Sequence, residues 1–201
     1  FVIASDECYS EIYFDETRPP LGALEAAARL GRDDYRRLIV FSSLSKRSNA
    51  PGLRSGFVAG DADLVRPFLL YRTYHGGAMS PTIQAASAAA WTDESHVVAN
   101  RTLYREKFAA VIPRLNRSLP ATLPDAAFYV WLPVPGGDDQ AFCQRLLAQY
   151  NVMALPGSFL ARQHQGVNPG AGHVRLALVD QLEACVEAAD RIAACAASIQ
   201  A

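Results

Sequence analysis

The chain has 201 residues, 50% of them hydrophobic, with 19 Lys and Arg against 20 Asp and Glu, which is enough material for a sizeable core and for two lobes. Charge this balanced, without blocks of one sign, gives no electrostatic reason to bind nucleic acid or an anionic membrane surface, and neither partner is expected. No apolar stretch approaches the roughly 20 residues needed to span a bilayer, so a cytoplasmic location is expected.

In chain order, Phe1-Val2-Ile3-Ala4-Ser5 reads as a buried strand, and Asp6-Glu7-Cys8-Tyr9 follows at its carboxyl end. An acid and a phenol thus leave one strand together, although an N-capping Asp with a packed Tyr would look the same. Leu38-Ile39-Val40-Phe41, short and β-branched, reads as a second buried strand. Just beyond it stand Ser43, Ser45 and Lys46, with Arg54 further on. In open α/β sheets ligands bind outside the carboxyl ends of the strands. A lysine there, partly desolvated, becomes a nucleophile toward a carbonyl. Arg54 offers a forked donor array to a phosphate, and Ser43 and Ser45 add hydroxyl donors. Together these residues are the equipment for holding a phosphorylated aldehyde. A lysine among serines fits a solvated loop just as readily when taken alone. What favours a site is the ordered recurrence of strand, Asp-x-x-Tyr, strand, Ser-x-x-Lys and Arg.

Residues 56–60 read as a third short strand, and Asp61 and Asp63 suit the start of a helix running to about Tyr71. This alternation suggests a doubly wound layer. Ser80-Pro81 opens another helix, with Pro at its first position, continuing toward Trp91. After Asp93-Glu94-Ser95 the apolar pattern Val97, Leu103, Phe108, Val111 and Leu115 predicts a long helix that contains the domain junction. Beyond Pro120 the pattern predicts a strand over 128–132, a helix over 138–150, strands over 152–155 and 173–179, and a closing helix over 180–199. Residues 163–172 read as a loop. Phe128, Tyr129 and Trp131 are expected in the core, because their strand needs apolar bulk. Cys8, Cys143, Cys185 and Cys195 have no metal or redox spacing and read as small packed hydrophobes.

The order Asp6, Tyr9, Ser43, Lys46, Arg54 resembles the cofactor-attachment half of the class I/II aminotransferases, the fold-type I pyridoxal-phosphate enzymes. Pro156-Gly157-Ser158-Phe159 and Gly172-His173-Val174-Arg175-Leu176-Ala177 resemble the small-domain segments of that family, so the similarity covers nearly the whole chain. Residues 47–57, 71–80 and 125–131 most resemble its branch in bacterial lysine and diaminopimelate biosynthesis. Two positions depart from the family pattern: Ser55 follows Arg54 where an apolar residue is usual, and a Gly is usual near Ala126.

The resemblance implies an α/β fold: the C-terminal part of the pyridoxal-phosphate-dependent transferase large domain over 1–95, a connecting helix over 96–118, and a small α+β C-terminal domain over 119–201. It implies pyridoxal 5'-phosphate as cofactor, with Lys46 bonded to its aldehyde, Asp6 against the ring nitrogen, Tyr9 on the ring oxygen, and Ser43, Ser45 and Arg54 on the phosphate. Arg175 becomes the candidate for the substrate α-carboxylate. Arg72, Tyr74 and His75 lie near a dimer interface in the resembling enzymes and are candidates for a distal carboxylate. Amino-acid and keto-acid substrates, a homodimer and no metal are the corresponding expectations. The same half-pocket also serves lyases, decarboxylases, synthases and the sensing domains of transcription regulators, and Lys46 does not separate these. Because Phe1 opens inside a predicted strand with no Met before it, a further amino-terminal half is expected, and the 201 residues alone are expected to be inactive.

Overall fold

The computed structural model describes residues 1–200. The chain divides into two compact units, Phe1–Arg101 and Thr102–Ala201.

The first unit is built on a three-stranded sheet of β1 (Ile3–Asp6), β2 (Leu38–Ser43) and β3 (Gly56–Gly60), in the order β1-β2-β3. Leu38, Ile39 and Val40 are buried because β2 is the middle strand. Each such side chain contributes about 1.5–3 kcal/mol relative to an exposed position. β1 runs parallel to β2 with Asp6 opposite Phe41, whereas β3 runs antiparallel with Gly56 opposite Ser43. The expected doubly wound layer therefore includes one reversed strand. The link between β2 and β3 holds only α2 (Leu44–Arg47) and a 3-10 turn (Pro51–Leu53), too little helix for a parallel crossover.

Two further expectations are corrected here. β1 is a strand, but it is not buried: Ile3 is 45% exposed, because β1 has only β2 as a neighbour in this sheet. A helix that the sequence pattern did not predict, α1 (Ala23–Arg29), covers β2, with Ala27 packed against Leu38 and Val40. Its N-cap, Gly22, has no side chain to offer. The Glu7 carboxylate accepts the Ala23 N–H at 2.7 Å instead.

The remaining helices start where their caps predict. Asp61 accepts the Asp63 N–H to open α3 (Ala62–Tyr74), and Ser80 accepts the Ile83 N–H to open α4 (Pro81–Thr92). α5 (Ser95–Leu115) begins in the first unit and ends in the second.

The second unit has an antiparallel sheet of β4 (Tyr129–Pro133), β5 (Leu155–Pro156) and β6 (His173–Ala177), in the order β4-β6-β5. It also contains α6 (Asp139–Tyr150), capped by Asp138, and α7 (Leu182–Gln200). Alternation along β4 and β6 buries Val130, Leu132 and Val174, while Phe108, Val111, Leu115, Leu146 and Cys195 are buried on the helices. Cys143 and Cys185 are buried as well.

The strand expected over 152–155 shrinks to two residues. Asn151 takes a left-handed conformation at φ 53°, and Pro156 has no N–H to extend a ladder. Trp131 is not a core residue: it is 40% exposed and its ring stacks on His173 at 5.5 Å. The pleat puts it on the opposite face from Val130 and Leu132. Among the described residues, no helix is long and apolar enough to cross a membrane and no acidic, His and Cys cluster has the make-up of a metal site.

Candidate cofactor site

Asp6 ends β1 and Ser43 ends β2, so both emerge at the same edge of the sheet. Adjacent strands lie ~4.8 Å apart, and Ser43 is two residues, ~6.7 Å, beyond the partner of Asp6. α2 begins immediately after Ser43 and carries Ser45 and Lys46 on its single turn. The chain then comes back through the 3-10 turn to Arg54, whose left-handed φ of 50° turns it away from that turn. A non-glycine residue there costs about 1–2 kcal/mol, and such strain concentrates at functional positions. The Arg54 guanidinium donates to the Pro51 carbonyl at 2.9 Å, which steadies the side chain.

These segments enclose one open hollow of about 710 Å³, lined by Asp6, Cys8, Tyr9, Ser43, Ser45, Lys46, Arg54, Ser55 and Gly56. All six residues expected from the sequence to hold the cofactor line it. Arg175, the candidate for the substrate α-carboxylate, is on β6 in the second unit, where its guanidinium lies 5.5 Å from the centre of the Tyr129 ring. A second hollow of about 630 Å³ shares Arg54 and Gly56 with the first and is lined further by Phe57, Phe68, Tyr71, Arg72 and His75. Arg72 donates to the Gly77 carbonyl at 3.1 Å, and Tyr74 is exposed.

The charges in the first hollow are arranged with acid and base apart along the chain and together in space. Asp6 has its carboxyl held below the usual carboxylate range, by the Cys8 thiol and then by the Cys8 N–H, which donates to it at 3.1 Å. It is therefore an anion at neutral pH. The Ser43 hydroxyl donates to the Cys8 sulfur at 3.4 Å, tying the exit of β1 to the exit of β2. Burial pushes the Cys8 thiol up, against the opposing pull of that hydroxyl, so Cys8 is a thiol and not a thiolate.

The donor set fits pyridoxal phosphate. The lining offers an amine, a guanidinium, two hydroxyls, an anionic carboxylate and a phenol, in a volume within the roughly 300–1,000 Å³ of small-molecule sites. Two cations with hydroxyls suit a phosphate, and an ionised carboxylate suits a protonated ring nitrogen.

A family model described as aminotransferase class I and II matches residues 1–192. The chain belongs to this family. Class I and II aminotransferases use pyridoxal phosphate. The LL-diaminopimelate aminotransferase of Nitratidesulfovibrio vulgaris (strain DSM 19637 / Miyazaki F) is 32% identical over 196 residues, covering 96% of this chain and 48% of that relative. The crystal structure of an aminotransferase from Neisseria meningitidis Z2491 is 59% identical with a TM-score of 0.92, over 98% of this chain and 49% of that one. A probable N-succinyldiaminopimelate aminotransferase from Thermus thermophilus is 27% identical with a TM-score of 0.76, over 97% of this chain and 50% of that one. The chain spans about half the length of the curated relatives it matches.

The reading of the sequence missed Arg47, the neighbour of Lys46 on α2. Arg47 is 4% exposed and donates to the Ala90 carbonyl at 2.8 Å and to the Glu94 carboxylate, with its guanidinium 5.1 Å from the centre of the Trp91 ring. No local signal separates a buried arginine from a solvated one in the string Ser45-Lys46-Arg47-Ser48. Only the contact with residues 90–94 does.

Proposed function

We propose that the complete protein is a pyridoxal-phosphate-dependent aminotransferase that moves an amino group between glutamate and N-succinyl-2-amino-6-oxopimelate, in lysine and diaminopimelate biosynthesis. The observation that carries the reading is the meeting of Lys46 and the ionised Asp6 in one hollow at the carboxyl ends of β1 and β2. The bound cofactor supplies an aldehyde that takes the substrate amine and a ring that accepts the electron pair released at the α-carbon.

Lys46 would hold the cofactor through its Nζ, and its amine would serve as the general base that moves the proton of the substrate α-carbon. The Asp6 carboxylate keeps a proton on the ring nitrogen, because an adjacent anion favours the charged form. Tyr9 would donate a hydrogen bond from its phenol to the ring oxygen. Arg54, Ser43 and Ser45 hold the phosphate and so prevent rotation of the ring. Arg175 takes the substrate α-carboxylate as a bidentate pair, which sets orientation as well as affinity.

The diaminopimelate names of the Nitratidesulfovibrio and Thermus relatives support the substrate class, and the similarity of residues 47–57, 71–80 and 125–131 to that branch supports the succinylated acceptor. We further propose the division into a partial large domain over 1–95, a connecting helix over 96–118 and a small domain over 119–201, a homodimer, and a cytoplasmic location. The test is the absorption of the cofactor bound to the complete protein during mixing with glutamate, then with N-succinyl-2-amino-6-oxopimelate. A shift of the band with glutamate and its reversal by the keto acid are expected. An unmoved band with glutamate refutes the reading.

A further inference from the structure

α2 is a single turn of four residues, too short to hold its own direction, and Lys46 stands on it. The three residues that follow Lys46 are each held by the end of α4, the α4–α5 corner or the first two turns of α5. Arg47 donates to the Ala90 and Trp91 carbonyls, at 2.8 and 3.5 Å, in the last turn of α4, and pairs with Glu94. The Ser48 hydroxyl is 2.8 Å from Nε2 of His96, whose Nδ1 is 2.8 Å from the Asp93 carboxylate. The Asn49 amide donates to the Asn100 side chain at 2.7 Å.

Resting on the reading of Lys46 as the cofactor lysine, we propose that Arg47, Ser48 and Asn49 are positioning residues: the α4–α5 corner clamps them, and the clamp sets where the Lys46 amine meets the cofactor aldehyde.

The physical reason is the contrast between the two halves of the segment. A lysine carries its amine on a flexible four-carbon stem, so its backbone position sets the region the amine can reach. An arginine buried with a carboxylate, two carbonyls and an aromatic face has one arrangement that satisfies them all. Leu44 anchors the start of this turn in the core, and Arg47 ties its end to two longer helices, α4 and α5. Misplacement of a reacting group by ~1 Å from a change outside the chemistry costs on the order of 100-fold in rate.

The test compares two ligands in the complete protein. Pyridoxal phosphate is captured covalently by Lys46, followed by borohydride reduction and mapping of the modified peptide. Pyridoxamine phosphate has no aldehyde and reports only the phosphate and ring contacts. For Arg47→Met, capture slows about 100-fold while the affinity for pyridoxamine phosphate stays within a factor of about 3. Arg47→Lys recovers part of the capture rate because it keeps the charge. Glu94→Gln and Asn49→Ala, which leave the core intact, slow capture less and in the same sense, and they decide the matter if Arg47→Met does not fold. Val97→Ala, in the same helix α5 but outside the clamp, lowers thermal stability without changing capture.

Unchanged capture in Glu94→Gln and Asn49→Ala, or equal losses for both ligands, overturns the clamp. Absence of capture by the unaltered protein overturns the cofactor reading itself, and the clamp with it.

Discussion

Asp6 accepts the N–H of Cys8, two residues further along, while the Cys8 sulfur accepts the hydroxyl of Ser43 at the end of the neighbouring strand. One short turn therefore orients the carboxylate proposed for the ring nitrogen and links it to a hydroxyl proposed for the phosphate. Asp6→Asn keeps the shape of the turn and removes the charge. Its turnover is expected to fall by at least about 100-fold while pyridoxal phosphate still binds, as steady-state kinetics and cofactor titration on the same preparation would read. Turnover within a factor of two of the unaltered protein would remove Asp6 from the mechanism.

Cys8 lines the hollow, and Cys143, Cys185 and Cys195 are buried. Burial raises the Cys143 thiol to about 11 and pushes the Cys8 thiol up as well. Iodoacetamide at pH 8 should therefore modify Cys8 slowly and the other three not at all in the folded protein, with the Cys8 rate rising toward pH 9. Saturating pyridoxal phosphate should block that reaction. Peptide mapping after timed labelling checks both points.

Ser55 is 4% exposed and its hydroxyl has no hydrogen-bond partner among the described residues. A buried unsatisfied hydroxyl costs about 1–3 kcal/mol, part of which Ala recovers at the expense of a small void. Ser55→Ala is expected to raise stability by about 1 kcal/mol, seen as a melting temperature higher by roughly 2–4 °C. A fall in melting temperature would mean that the hydroxyl has a partner in the complete protein.

Asp139 opens α6 and is buried, and its two carboxylate oxygens accept the N–H groups of Ser158 and Gly172 at 2.8 and 3.3 Å. Burial raises its carboxyl, but the hydrogen bonds from Ser158 and Gly172 outweigh that and hold it below the usual value. The folded-state value lies below the unfolded one, so this stabilisation is complete above about pH 4 and is lost as pH falls through the folded value. Asp139→Ala is expected to cost about 3 kcal/mol at pH 7 and to flatten the acid limb of the stability profile. Urea unfolding between pH 3 and 7 measures both.

Helix starts were readable because capping is local chemistry: Asp61, Ser80 and Asp138 each accept an N–H two or three residues ahead. The centre of the first sheet was readable because Leu38, Ile39 and Val40 are apolar together. α1 escaped notice because its cap comes from Glu7, 16 residues away in sequence, and its core contact rests on small alanines. Trp131 was misplaced because an aromatic residue in a strand has equal claim to either face until the register with β6 is known.

The order of residue types along the chain determined the family resemblance and the candidate groups, since Asp6, Tyr9, Ser43, Ser45, Lys46 and Arg54 are short-range features beside recognisable strands. Tertiary structure alone decided that these six share one hollow, that β3 reverses direction, and that Arg47 is buried rather than solvated. The reason is one of range: propensity and capping act over a few residues, whereas the contacts that bury Arg47 and tie the exit of β1 to the exit of β2 join segments 35 or more positions apart, Cys8 to Ser43 among them.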